Sequence, residues 1–349
     1  MVFSRELVRR LIYLGLAAFL LGTVSVLVYQ HFFPKVVFVS RFPEVWYPRE
    51  KKDLLGAIDA LLGRVSELAP AAAGDAAPWM IVVPHAAYEC SGMVAAAGYS
   101  LLRCAGAKKI KRVLLIAPSH YVDFYGLAVP GFTHYQSPLG ESIVDVDAVE
   151  LIKDASAVEV GELVFHREHA IDVQIPWIQS VLPETKIVPL VIGRLTDNGM
   201  LHHLAQVLLK VFDEQTLIVV SSDMLHYGKK FNCCPFGTEF SAQNKVNRLE
   251  DELISAIKSL SVARFDEVVA RTQAAICGKN AIKLALELAA LSWVQDGELL
   301  QRLSQVSDAQ LLAQQSSFAV RQQAGEKLDE LEHVGYAAIA AWRKKNVAK

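Results

Sequence analysis

The 349-residue sequence predicts a three-layer α/β/α domain around a mostly parallel central sheet, preceded by one N-terminal transmembrane helix. Three observations carry that expectation. Four short runs rich in Val and Ile, Met80–Val83, Val113–Ala117, Ile187–Ile192 and Leu217–Val220, show no polar alternation and read as strands buried on both faces. Helical stretches lie between or after them, and strands alternating with helices imply a parallel sheet. Ahead of them all, Leu11 to Tyr29 runs for nineteen residues without a charge. As a helix that run spans about 28 Å, close to the hydrocarbon thickness of a bilayer.

In chain order, residues 1–10 form a short tail carrying Arg5, Arg9 and Arg10. Residues 11–30 are the expected anchor. The run ends in Val28-Tyr29-Gln30-His31-Phe32-Phe33-Pro34, without the small-residue site at which a signal peptide is cleaved. Residues 31–43 are a linker, overlapping an extended stretch from Pro34 to Pro48, and residues 44–342 form the α/β domain. Its first helix, Lys51 to Leu68, sets Leu54, Leu55, Ile58, Leu61, Leu62, Val65 and Leu68 at helical spacing. A small-residue loop, Ala69 to Pro78, leads into the first buried strand. Further helices are expected over Ser91–Cys104, Ile171–Leu182, Leu201–Phe212, Ser241–Leu260 and Ala281–Leu291. The stretch Gln301–Glu332, rich in Gln, Ser, Ala and Glu, reads as helix plus a mobile segment. Val334–Trp342 reads as a closing apolar strand or helix, and residues 343–349 as a solvated basic tail.

Composition narrows the function. A net charge of −2 gives no electrostatic footprint for a nucleic-acid backbone, so nucleic acid is excluded as a partner. The five cysteines, Cys90, Cys104, Cys233, Cys234 and Cys277, are odd in number and lack CxxC spacing, which excludes a disulfide scaffold. The adjacent Cys233 and Cys234 are read as buried small apolar residues rather than a redox pair. HExxH, CxxC and HxxxH are absent, so any metal is held by residues distant in sequence, and the lack of GxSxG, GxGxxG and the P-loop counts against an α/β-hydrolase, a dinucleotide enzyme and a nucleotide-triphosphate enzyme.

The chemistry gathers where strands end. Met80–Val83 runs into Pro84-His85-Ala86-Ala87-Tyr88, Val113–Ala117 into Pro118-Ser119-His120, and Leu217–Val220 into Ser221-Ser222-Asp223-Met224-Leu225-His226. Ligands of an open α/β sheet bind outside the carboxyl ends of its strands. Three histidines and an aspartate delivered to one edge are therefore a site hypothesis. A fourth His-rich element, His166-Arg167-Glu168-His169, precedes a helix and puts Glu168 and His169 at its N-terminus. Cys277, before a glycine and a helix, is open to three readings: nucleophile, ligand or buried thiol. His31, His134, His202 and His203 are given no role; the last two lie in a helical stretch with no carboxylate partner near.

These motifs resemble the Memo family. The likeness runs in order through Trp46-Tyr47-Pro48, Pro84-His85-Ala86-Ala87-Tyr88 with Ser91-Gly92, Pro118-Ser119-His120, Glu168-His169-Ala170-Ile171-Asp172-Val173-Gln174 with Pro176, and Val188-Pro189-Leu190-Val191-Ile192-Gly193. It continues through Ser221-Ser222-Asp223-Met224-Leu225-His226, Ile276-Cys277-Gly278 and Gly335-Tyr336-Ala337-Ala338, and so covers residues 44 to 340. Memo proteins are similar in fold to class III extradiol dioxygenases. The resemblance implies a metal ion held by His85, His120 and Cys277, with His226, Asp223 and His169 around it as catalytic residues. His226 is the acid/base in that scheme, oriented by the other two. A thiolate where the dioxygenases carry a carboxylate favours iron(II) or copper(I), with zinc as the alternative. The chain departs from the family where HAGY becomes His85-Ala86-Ala87-Tyr88, a glycine loss expected to restrict the backbone beside His85. It also reads Ala117 in place of a glycine before Pro118-Ser119-His120.

The resulting expectation is a membrane-anchored Memo-type metal-binding protein with redox, dioxygenase-like activity on a small oxygen-bearing substrate. The alternative is a non-catalytic metal- or peptide-binding interaction protein of the AmmeMemoRadiSam system, with a radical-SAM protein as partner. The membrane is the partner of residues 11–30. The expected location is the cell membrane, single-pass. The positive-inside rule leans toward an extracytoplasmic domain, although Lys35, Arg41, Arg49, Lys51 and Lys52 follow the span.

Overall fold

The computed structural model describes residues 34–68, 76–295, 308–324 and 330–342. The expected anchor over residues 11–30 and the basic tail over 343–349 lie outside the described residues. Among the described residues no helix is long and apolar enough to cross a membrane. The expected single-pass cell-membrane location is corrected on that finding, and membrane attachment has no part in the function argued below.

The described residues open with a short strand β1 (Val37–Val39) and helix α1 (Lys51–Leu68), then alternate β2 (Met80–Val83), α2 (Tyr88–Ser100) and β3 (Arg112–Pro118). Short pieces follow: β4 (Leu127–Val129), the antiparallel hairpin β5 (His134–Ser137) and β6 (Gly140–Ile143), α3 (Val146–Ile152), β7 (Val158–Val160), α4 (Glu162–Arg167), α5 (His169–Asp172) and α6 (Ile175–Val181). Alternation resumes with β8 (Lys186–Ile192), α7 (Asn198–Leu209), β9 (Thr216–Ser221) and the two-residue β10 (His226–Tyr227). Three helices come next, α8 (Gln243–Lys258), α9 (Val262–Thr272) and α10 (Lys279–Gln295). The described chain closes with β11 (Asp308–Ser316), α11 (Ser317–Gln323) and β12 (His333–Trp342).

Nine of these strands form one sheet in the order β10-β12-β2-β9-β3-β8-β4-β7, with β11 on β12. The sheet is mixed, not mostly parallel as expected. Parallel pairing holds at the centre, β2–β9–β3–β8, and for β4–β7. β12 pairs antiparallel with β2, β10 and β11, and β4 antiparallel with β8. The four runs read as strands are β2, β3, β8 and β9. Apart from Arg112 and Lys186 at their starts, every residue in them is buried. Successive side chains point to opposite faces, so full burial means that both faces of this central sheet are covered. On α1, Leu54, Ile58, Leu62 and Val65 supply the buried stripe.

Two departures from the sequence reading have clear causes. The helix expected over Ile171–Leu182 is two helices, α5 and α6, broken around Val173 and Gln174. Pro176 sits in the first turn of α6, where its missing N–H costs nothing; one helix continued through it would leave the carbonyl four residues earlier unpaired. Within Gln301–Glu332, read as helix plus a mobile segment, the described residues hold a strand, Asp308–Ser316, paired along its length with β12, and one helix, Ser317–Gln323.

Candidate metal centre

Parallel register brings the polar ends together. Val83 of β2 lies beside Ser221 of β9, and Val220 of β9 beside Ile116 of β3. The residues after these strands, His85, Asp223 and His120, therefore leave the sheet at one edge. Cys277 arrives from the segment before α10, which is tied to this edge by the Leu225–Ile276 bridge. Gly278 makes the approach possible: a β-carbon there would stand 2.3 Å from Ser222 Oγ.

His85 is buried, and its partners fix its tautomer. Ser221 Oγ donates its one hydrogen to the Ala170 carbonyl at 2.7 Å. It accepts from Gln174 Nε2 at 2.9 Å, the amide being oriented by a second bond from that nitrogen to the Pro84 carbonyl. The remaining contact, 2.9 Å to His85 Nδ1, must then be donated by the ring. Nε2 is left with its lone pair, 3.3 Å from Cys277 Sγ. Asp223 pins the backbone behind this ring, with Oδ1 accepting from the N–H groups of His85 (2.8 Å) and Ala86 (3.3 Å). The glycine replaced at Ala87 is not needed, because Ala87 sits at φ −53°, open to any residue.

His120 is fixed in the same sense by a carboxylate. Glu168, buried, accepts three N–H groups: His120 Nδ1 (2.8 Å) and Ala170 N (2.8 Å) on Oε1, and His120 N (2.6 Å) on Oε2. His120 Nε2 is thereby left as the free lone pair. A carboxylate behind an imidazole is the usual support of a metal-bound histidine.

His169 completes the group. Its ring lies face to face on Trp46, with centroids 4.1 Å apart and planes at 14°, and 4.7 Å from the His120 ring. Trp46 is held there by the chain before α1. Tyr88 N donates to the Trp46 carbonyl at 2.9 Å, and Ser40 Oγ, Arg41 N and Tyr47 OH all converge on the buried Asp172. His169 Nδ1 is buried and makes no hydrogen bond, although Glu168 Oε1 is 3.4 Å away.

Burial sets the protonation states. It pushes His85 well below its ordinary value, with the neighbouring His120 and His226 adding to the effect. It lowers His169 to about 3, again reinforced by His85. Both rings are therefore neutral at neutral pH, the form that binds a cation. Burial first, and the Asp223 carboxylate second, push the Cys277 thiol up. That opposes the nucleophile reading of Cys277 and leaves its proton to be displaced by a ligand's positive charge. Asp223 is raised by burial, and His226 is lowered by it against the pull of Asp223.

Two overlapping sets of donors result. His85, His120 and His169 offer ring nitrogens within 4.8 Å of one another, and so do His85, Asp223 and Cys277 with their nitrogen, oxygen and sulfur. This mixture of imidazole, carboxylate and thiol suits a borderline or soft transition metal. Beside it opens a cleft of about 310 Å³ lined by His120, Tyr121, Phe124, Arg194, Cys277 and Asn280.

Of the residues singled out in the sequence, His85, His120, His169, Asp223 and Cys277 meet here. His226 lies within electrostatic reach of His85, His120 and Asp223 but shares no donor group with them, its Nδ1 3.0 Å from the Met224 carbonyl and its ring edge-on to Phe231 at 5.0 Å. His166 is apart, against Phe38. His202 does have a carboxylate partner, Glu287 at 2.8 Å, but on the surface. Of the two adjacent cysteines read as buried, Cys233 is buried and Cys234 only partly so. Ser221, Gln174 and Trp46 had no assigned part in the sequence reading, and Glu168 was placed there only as the neighbour of His169. A Glu before a helix signals a cap, yet nothing local announces its two bonds to His120, forty-eight residues away.

Residues 41–320 match the family described as Memo-like protein. Among curated relatives, the protein memo-1 homolog of Caenorhabditis elegans is 29% identical over 258 residues, covering 70% of this chain and 69% of that protein. A MEMO1 family protein of Pyrobaculum arsenaticum is 32% identical over 252 residues, covering 70% of this chain and 83% of the relative. A crystal structure of an uncharacterized Escherichia coli K12 protein aligns with a TM-score of 0.40 at 10% identity, over 74% of this chain and 98% of that one. At that level it carries no argument.

Proposed function

The chain belongs to the Memo-like family, and from that premise we propose that it holds one transition-metal ion through His85, His120 and Cys277. We further propose that it performs redox chemistry on a small oxygen-bearing substrate bound in the adjoining cleft. One observation carries the reading. Ser221 and Glu168 each take the Nδ1 hydrogen of a histidine, so both rings keep an unprotonated Nε2; that of His85 lies 3.3 Å from the Cys277 thiol, and the His120 ring is 5.1 Å from the His85 ring.

The bound ion would supply Lewis acidity and, if iron(II) or copper(I), a single-electron couple. The chain's own residues do the rest. His85 is immobilised by Ser221 and Asp223, and His120 by Glu168, so the donors need little reorganisation. Cys277 gives up its proton on binding, and its thiolate makes the centre soft. His226, with Nδ1–H turned to the Met224 carbonyl, keeps Nε2 to accept a proton, and its lowered basicity keeps that nitrogen free at neutral pH. Tyr121, Asn280 and Arg194 bound the cleft in which the substrate would lie.

The test is elemental analysis of the full chain, loaded with iron(II) or copper(I) without oxygen, followed by oxygen-uptake assays with phenols and other oxygen-bearing compounds. Near-stoichiometric metal lost in His85→Ala, with oxygen uptake lost in His226→Ala while its metal remains, is the expected result. A folded wild type that takes up no ion overturns the metal reading. Bound metal without turnover on any such compound overturns the redox half and leaves a metal-binding interaction protein.

A further inference from the structure

The two sets of donors share His85, and that sharing has a consequence. His85 Nδ1–H is committed to Ser221, so this residue has one lone pair to give and serves one ion at a time. His120 is committed in the same way through Glu168. The Cys277 thiol stands 3.3 Å from His85 Nε2. His169 offers a nitrogen within 4.8 Å of those of His85 and His120, and among the described residues neither donor group holds both His169 and Cys277.

His169 is built as a ligand would be. Only 5% of it is exposed, and Trp46 stacked on its face keeps it from swinging to solvent. Its Nδ1 is a buried polar atom with no hydrogen bond, which is a standing cost in a dry site. The carboxylate that backs His120 also lies 3.4 Å from that nitrogen, so one negative charge faces two rings of the three-imidazole group. Three imidazoles and a thiolate-containing set differ in softness, which is what separates borderline divalent ions from copper(I).

We propose that the pocket is a one-ion centre with two mutually exclusive positions. The second is a three-imidazole position formed by His85, His120 and His169, and it takes a borderline divalent cation such as zinc(II) or cobalt(II). Copper(I) takes the position that includes Cys277. The inference rests on the reading of this pocket as a metal centre and adds His169 as a ligand and the exchange of the third donor.

Cobalt(II) alone and copper(I) alone are the probes, added without oxygen to the full chain as wild type, Cys277→Ser, His169→Ala and the volume-keeping His169→Gln. Circular dichroism establishes which variants fold. Cobalt(II) in the wild type is expected to show d–d bands without a thiolate-to-cobalt charge-transfer band, and Cys277→Ser to keep both spectrum and stoichiometry. The His169 variants are expected to weaken cobalt(II) by about tenfold or more while holding copper(I), as loss of one ligand does. Copper(I) added to the cobalt form is expected to displace it, the total staying at one ion per chain. A strong charge-transfer band that vanishes in Cys277→Ser, a folded His169 variant with undiminished cobalt(II) affinity, or two ions bound together would each overturn the proposal and leave the metal centre standing. A wild type that binds copper(I) and no cobalt(II) overturns it too. Failure to bind either ion would instead remove the metal centre itself.

Discussion

Removing the Glu168 carboxylate is predicted to destabilise the whole domain, although the residue lies at the functional edge of the sheet. The side chain is 1% exposed and receives three N–H groups, from His120 Nδ1, His120 N and Ala170 N. In Glu168→Ala all three lose their acceptor. The His120 ring, whose side chain is 24% exposed, can turn to water and recover most of its bond. The two backbone donors are less able to, and each stranded donor costs about 1–3 kcal/mol, more when its lost partner was charged. The expected loss is therefore about 2–6 kcal/mol, centred near 4, a large share of the ~5–15 kcal/mol that holds a domain together. Glu168→Gln keeps one acceptor oxygen and is expected to lose about half as much. Equilibrium urea unfolding of the metal-free protein followed by tryptophan fluorescence reads the difference, with equal m-values as the check on two-state behaviour. If Glu168→Ala unfolds within about 1 kcal/mol of wild type, the accounting of donors is wrong.

Gly335→Ala is expected to be among the most damaging single methyl additions in the protein. Its β-carbon would fall 1.3 Å from Glu250 Oε1, a side chain held in the interior by His333 at 3.0 Å, so a fall in melting temperature of about 5 °C or more is expected by calorimetry. Acid should destabilise the metal-free protein between pH 6.5 and 3. The unfolded chain protonates His85 and His169 near 6.5, while burial keeps the first well below that value and the second at about 3. At pH 5 His169 contributes a loss of about 2 kcal/mol and the lowered His85 adds to it, which the raised Asp172 and Asp223 partly offset by binding protons in the native state. A urea midpoint that stays level or rises from pH 7 to pH 5 would refute that sign. Metal affinity should move the same way for a different reason. Cys277, pushed up by burial, must release its proton to a thiolate-bound ion, so copper(I) affinity should rise by about tenfold per pH unit and one proton should appear in a weakly buffered titration. A flat profile would place the ion away from the thiol.

The central strands were legible because full burial on both faces leaves uninterrupted Val and Ile runs, and β2, β3, β8 and β9 are those runs. The site edge was legible for a related reason: a polar residue directly after such a run can only be at a strand end. Legibility failed where pairing partners, rather than local sequence, decide structure. Asp308–Ser316 carries the Gln and Ala of a helix former, yet β12 offers it an edge along its length and pairing prevails. On one flank β12, returning from the far end of the chain, pairs antiparallel with β2, β10 and β11, which no local pattern records. The family likeness ran through the whole domain and is matched by the comparisons, whereas the membrane reading rested on hydropathy in a segment outside the described residues. The supports of the histidines escaped notice for want of a spacing rule: Ser221 meets His85 across 136 residues and Glu168 meets His120 across 48.

Those separations also govern when the pocket comes into being. His85 and Cys277 are 192 residues apart, and His85 and Asp223 are 138 apart. Each of the parallel crossovers between them has to close before two donors can see the same point in space, and such long-range closures come late in folding. A nascent chain, or any fragment that ends before residue 277, therefore lacks the Cys277 thiol that completes the thiol-containing set of donors. If the proposed ion binds there, loading through the thiol is a reporter of completed folding, because the donors converge only once the sheet edge and the segment before α10 are in place.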